Sequence, residues 1–199
     1  MTPDTPPDAP PPQDDIDRLI RFLQGAGALK DTLRSGFTPA GRPESTAEHS
    51  WRLCLLALLL EDRLEGADLL HLLKLCIVHD LGEAISGDVP APLQTAGSDR
   101  RDRERRDMAE LCAPLPAATA ARLMALWDEA AAGRTPEARL AKGLDRIETI
   151  LTHAQGTNPP DFDYGFNLGY GRDRTGATPL LGALREAADA ATRARMDGA

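Results

Sequence analysis

His79 and Asp80 stand side by side at the end of a strongly apolar run, with His49 upstream and Asp145 far downstream. Two imidazoles and two carboxylates can hold a divalent cation, and such an ion generates hydroxide at neutral pH and polarises a phosphate. With no thiolate in the set, Mn²⁺, Co²⁺, Fe²⁺, Ni²⁺ and Zn²⁺ all suit it, and four protein ligands around an octahedral ion leave positions for water and substrate. Glu83 follows His79 by four residues and Asp80 by three, so continued helical geometry sets it beside both, where it can manage protons. Each residue also has a plainer reading. His49 could be a hydrogen-bonded core histidine, Asp80 a helix cap, and Glu83 and Asp88 loop acids. Asp145, three residues from both Lys142 and Glu148, reads by itself as a surface charge. Burial of all of them in one place is what would make them a site.

The elements that must position these residues are legible in outline. Ser45-Thr46-Ala47-Glu48 has the form of a capping box and starts a helix in which His49, Leu53, Leu56 and Leu60 share a stripe. Apolar residues on nearly every other face make that helix central. A further apolar helix over about Ala67 to Leu81 delivers His79 and Asp80 at its end. Gly82 to Pro90 contains two glycines and a proline, which break regular helix and let Glu83 and Asp88 fold back. Thr135, Pro136 and Glu137 open another helix that buries Leu140, Leu144, Ile147 and Leu151, with Asp145 on a flank shared with Ala141, Glu148 and Thr152.

Elsewhere, Ile16 to Leu29 reads as an amphipathic helix, Thr32 to Glu44 as a loop long enough to reach a pocket, and Ser98 to Glu110 as a solvated helix of paired charges. A helix over about Ala117 to Ala132 ends at Gly133. Asn158 to Arg174 reads as a long ordered loop, and about Leu180 to Met196 as a final helix. Residues 1 to about 15 are rich in proline and acid and are expected to be a disordered tail, leaving residues 16–199 as a single domain.

The chain has 199 residues, 42% of them hydrophobic and only 4% aromatic, with Leu and Ala dominant, so propensity favours an all-α fold. A net charge of −8 argues against binding extended nucleic acid, which needs clustered Lys and Arg. The apolar run Leu53 to Leu60 is too short to span a membrane, and the acidic, proline-rich beginning is unlike an export signal. Three unpatterned cysteines, Cys54, Cys76 and Cys112, fit a reducing cytoplasm.

His49, then His79-Asp80-Leu81-Gly82-Glu83, then Asp88, then Asp145 resembles the H…HD…D signature of the HD-domain metal-dependent phosphohydrolases, over about residues 16 to 155. More narrowly, Arg42-Pro43-Glu44-Ser45-Thr46-Ala47-Glu48-His49, the run from His79 to Asp88, and Leu126-Trp127-Asp128-Glu129 are similar to the 5′-deoxynucleotidase branch. The resemblance implies a helical bundle with a central metal site, usually a homodimer, that removes phosphate from deoxyribonucleoside 5′-monophosphates. It implies His49, His79, Asp80 and Asp145 as ligands, Glu83 and Asp88 in acid–base roles, and Arg34 gripping the phosphate. Bacterial members of the branch place a tryptophan directly after this arginine, whereas Ser35 follows Arg34 here and the aromatic arrives at Phe37. The alternatives are HD-type hydrolysis of another phosphorylated nucleotide, such as a signalling pyrophosphate, and an inactive module that only binds nucleotide.

Overall fold

A computed structural model describes residues 10–64, 66–90 and 98–198; residues 1–9 of the expected tail lie outside them. Helix α1 (Gln13–Ala26) follows Pro10, Pro11 and Pro12 and so begins within the stretch expected as tail. A 3-10 turn (Gly27–Lys30) then leads into a feature the sequence reading treated as loop. Strand β1 (Leu33–Phe37) pairs antiparallel with β2 (Pro43–Ser45), Leu33 opposite Ser45 and Phe37 opposite Pro43. Neither strand is long enough to show an alternating pattern, and the turn between them closes the hairpin through Thr38 N–H to Arg42 C=O at 2.8 Å. Otherwise the expected all-helical architecture holds.

Helix α2 (Thr46–Leu59) starts with the expected capping box: Ser45 Oγ accepts from Glu48 N–H, and the Glu48 carboxylate accepts from Ser45 N–H. His49, Leu53 and Ala57 lie on its fully buried face. The helix is not enclosed on all sides, however, because Trp51, Leu55, Leu58 and Leu59 are exposed. Helix α3 (Leu69–Val78), capped by Asp68, packs against α2 and buries Leu72, Leu75 and Cys76 completely. It stops short of the expected Leu81. His79 is its C-terminal cap and Asp80 lies in the turn beyond, before the short helix α4 (Glu83–Ser86). Gly87, at φ 81°, then turns the chain so that Asp88 lines the same cavity as Glu83.

Helix α5 (Ser98–Cys112) pairs Arg100 with Glu104 at four-residue spacing, as expected of a charged helix, but also buries Met108 and Cys112 against α6 (Ala117–Ala132) and Leu115, and Leu111 beside Gly25 of α1. Helix α7 (Pro136–Gln155) begins at the Thr135 cap and is the spine of the molecule, touching α2, α3, α6 and the final helix. Its apolar face buries Leu140, Leu144, Ile147 and Ile150, the last in place of the expected Leu151. Its polar flank is buried too: Asp145, Glu148, Thr149, Thr152 and His153 are all at most 8% exposed. The surface-charge reading of Asp145 therefore fails, because β1, β2 and α2 cover this flank and supply partners for its polar groups. Gly36 lets β1 come that close; a Cβ there would lie 2.7 Å from Thr152 Cγ2. The expected loop after α7 contains two short helices, α8 (Tyr164–Gly169) and α9 (Arg172–Thr175), before α10 (Pro179–Asp197) covers α7. Among the described residues no helix is long and apolar enough to cross a membrane.

Removing the Ser45 hydroxyl leaves Glu48 N–H without its capping acceptor at the turn that carries His49. Ser45→Ala should cost about 1 kcal/mol of stability, read as a lower urea midpoint with an unchanged m value.

Candidate metal centre and active-site cavity

The end of α3, the first turn of α2 and the middle of α7 meet at one buried point. The His79 Nδ1–H donates to the Cys76 carbonyl at 2.8 Å, which turns Nε2 inward. His49 is held in the same way by a different acceptor: its Nδ1 lies 2.5 Å from Glu148 Oε2, directing Nε2 inward. Both Nε2 atoms are buried without a hydrogen-bond partner. One atom each from His49, His79 and Asp145 fall within 4.8 Å of one another. Asp80 Oδ2 joins them, 3.0 Å from His79 Nε2 and 3.9 Å from His49 Nε2, while Asp145 Oδ1 lies 3.2 Å from His49 Nε2. Buried nitrogens that lack a donor and face two carboxylates fit a divalent cation with imidazole and oxygen ligands.

The electrostatics match. Burial alone would raise the Asp80 pKa, but His79 and Arg34 outweigh it and hold the carboxylate ionised. Asp145 is likewise held well below the usual range against its burial, by Arg146, whose guanidinium lies 3.1 Å away, and by the two histidines. Glu83 goes the other way: burial first, then the charges of Asp80 and Asp88, push it up to about 9. The Thr46 hydroxyl donates to its Oε2 at 2.9 Å, leaving Oε1 to carry a proton. Burial also raises Asp88. Arg34, on β1, is pinned with NH1 3.3 Å from Asp80 Oδ2 and NH2 3.2 Å from Thr149 Oγ1.

Arg34, His79, Asp80, Glu83, Asp88, Asp145 and Thr149 line a single cavity of about 410 Å³, with His49, Glu148 and Thr46 buried behind them. Arg146, Lys142, Arg100 and Arg103 also line it, supplying the local positive charge an anion needs in an acidic protein. The structure thus brings together His49, His79, Asp80, Asp145, Glu83, Asp88 and Arg34, the candidate site residues read from the sequence. It also adds some that were passed over. Glu148 and Thr149 are the clearest, and Glu148 was readable as the residue one turn after Asp145 on the same flank. Thr46, Arg146 and His153 carried no local signal. Ser35 lines the cavity and Phe37 does not, so the later aromatic does not take the place beside Arg34.

Comparison with known proteins agrees with this geometry. A family model described as HD domain matches residues 26–182. The 5′-deoxynucleotidase HDDC2 of Danio rerio is 30% identical over 138 residues, covering 68% of each chain. That of Xenopus laevis is 33% identical over 135 residues, covering 67% of this chain and 66% of its own. A crystal structure of a predicted metal-dependent phosphohydrolase from Magnetospirillum magnetotacticum superposes with a TM-score of 0.72 at 28% identity, covering 91% of this chain and 97% of that one. The chain belongs to the HD domain family. Its relatives place it on the 5′-deoxynucleotidase branch.

The Glu148 carboxylate sets the orientation of His49, so its loss should be felt at the cation. Burial and Arg34 disfavour the imidazolium, but the carboxylates of Asp145 and Glu148 outweigh them and raise His49 to about 10 when no cation is present. Cation binding must then expel a proton at neutral pH, and affinity should rise with pH until about 10. Glu148→Gln should weaken binding of Mn²⁺ or Co²⁺ about 10- to 100-fold. Calorimetric titration in two buffers of different ionisation enthalpy reads both quantities; unchanged affinity in the variant, or no proton release, contradicts the assignment.

Proposed function

We propose that this chain is a divalent-metal-dependent 5′-deoxynucleotidase, a phosphomonoesterase that converts (deoxy)ribonucleoside 5′-monophosphates to nucleoside and inorganic phosphate. The observation that carries this reading is the convergence of two unpartnered imidazole nitrogens and two ionised carboxylates beside a pinned arginine in one cavity. The names of its HDDC2 relatives supply the substrate class.

In this reading His49, His79, Asp80 and Asp145 hold the cation. When bound, the ion supplies Lewis-acid charge to the phosphoryl oxygens and lowers the pKa of water. Arg34 binds the phosphate dianion; its contacts to Asp80 and Thr149 fix the guanidinium plane before substrate arrives, which favours two-point recognition. Arg146 and Lys142 add positive charge to the same wall. Glu83, kept protonated at neutral pH by its surroundings, donates to the leaving 5′-oxygen, and Asp88 lies across the same loop to orient the attacking water.

We read the chain from Ile16 onward as one HD domain that works in the cytoplasm, where its three unpaired cysteines stay reduced. Two copies pair through the apolar face that α2 leaves uncovered, Trp51, Leu55, Leu58 and Leu59. Light scattering should therefore give twice the 21.4 kDa chain mass, and a monomer at micromolar concentration would exclude the pairing.

After chelation and reloading with Mn²⁺ or Co²⁺, the protein should release phosphate from deoxynucleoside monophosphates in preference to di- and polyphosphates. Asp80→Ala should lose both the metal, by elemental analysis, and the turnover. Because a neutral Glu83 is the active form, activity should fall as pH rises toward about 9, and at lower pH still once a cation beside Asp80 screens the charge that helps raise it. Glu83→Gln should lower kcat about 100- to 10,000-fold and remove that basic limb. Absence of phosphate release from every nucleotide would overturn the proposal.

A further inference from the structure

Beyond Arg34 the cavity continues away from the cation centre. Helix α7 presents Asp145, Thr149 and His153 to it at four-residue intervals, each step about 6 Å along the axis. Asp145 belongs to the cation centre, Thr149 holds Arg34, and His153 Nε2 lies 3.5 Å from the hydroxyl of Ser35. The substrate path therefore runs from phosphate-binding groups to an end of different chemistry. Phe162, Phe166 and Tyr170, none of them fully buried, line the cavity there. Phe162 meets the His153 ring edge-on at 5.0 Å, and Phe166 lies 5.1 Å from Tyr170.

This aromatic end is built, not incidental. The buried guanidinium of Arg185 donates to the carbonyls of Tyr170, Asn167 and Leu168 at 2.5, 2.8 and 2.9 Å, and Asp189 holds its Nε at 2.7 Å. That ties the segment carrying the aromatic residues to α10. The Asn167 amide oxygen accepts from His153 Nδ1–H at 2.8 Å, and burial keeps the ring neutral, so Nε2 presents a lone pair beside Ser35. The opposite lobe, toward α5, carries the charged side chains of Arg100, Arg103, Glu104 and Asp107, with Trp127, itself packed on α5 and only 3% exposed, as its aromatic lining.

On the reading that the substrate is a nucleoside 5′-monophosphate, we propose that Phe162, Phe166 and His153 form its nucleobase subsite, with stacking on the phenyl faces and a single hydrogen-bond acceptor at His153 Nε2. Every base has a π-face, so such a site accepts whole nucleotides with little discrimination among bases and disfavours a sugar phosphate that lacks one.

The test compares the metal-loaded full chain with its Phe162→Leu and Phe166→Leu variants, which keep apolar bulk and remove the ring. Substrates are 2′-deoxyadenosine 5′-monophosphate and 2-deoxyribose 5-phosphate. The ratio of kcat/KM for the nucleotide to that for the sugar phosphate should fall at least tenfold in the variants, mainly through the nucleotide KM. A ratio that stays the same, because both substrates suffer equally or neither changes, overturns the subsite. Binding of deoxyadenosine, measured by calorimetry on the same proteins, should weaken at least fivefold. That second measurement needs no turnover, so wild-type protein inert toward both phosphates would sink the nucleotidase reading, while unchanged nucleoside affinity would sink the subsite.

Discussion

Each imidazole at the centre of this molecule is oriented by an acceptor behind it. Cys76 C=O takes the Nδ1–H of His79, and Glu148 faces Nδ1 of His49, so both Nε2 atoms are turned toward Asp80 and Asp145. Two imidazoles and two ionised acids cannot be buried together unless positive charge compensates them. Much of the architecture follows from satisfying that demand. The chain bends β1 over α7 to bring Arg34 to Asp80. It places Arg146 one residue after Asp145, and it keeps the polar flank of α7 under cover instead of in water.

The same environment assigns different states to neighbouring carboxyl groups. Asp80 and Asp145 each face a guanidinium and stay ionised, whereas Glu83, buried near two acids with a threonine hydroxyl on one oxygen, holds its proton. Carboxyls whose pKa values are pushed apart in one cavity are suited to different tasks, the ionised ones to a cation and the neutral one to giving up a proton. A chain of net charge −8 can attract a phosphate dianion only by gathering its cations locally, and Arg34, Lys142 and Arg146 do so around this cavity.

The helices and their boundaries were readable because capping residues and apolar period act locally: Ser45 with Glu48, Thr135 with Pro136, and Gly133 all sit where the pattern put them. The histidines and acids of the candidate site were readable as types at separations. What the chain could not announce was anything made by tertiary contact alone. The β1–β2 pairing has too few residues to show a period. The covered flank of α7 looks like a charged surface until the hairpin lies on it. Thr46, His153 and Arg185 take their partners from other segments, and α8 is held by Arg185 and His153 through contacts that local propensity does not register.

The two inner histidines differ in how they are secured. His79 is oriented by a main-chain carbonyl, which every amino acid at position 76 would still provide, whereas His49 depends on one carboxylate side chain. Mutational tolerance should therefore be lopsided across the pair: drift at position 76 is limited only by the volume of the core, while position 148 admits almost no alternative. The weak point of the cluster is on the spine helix, one turn beyond Asp145.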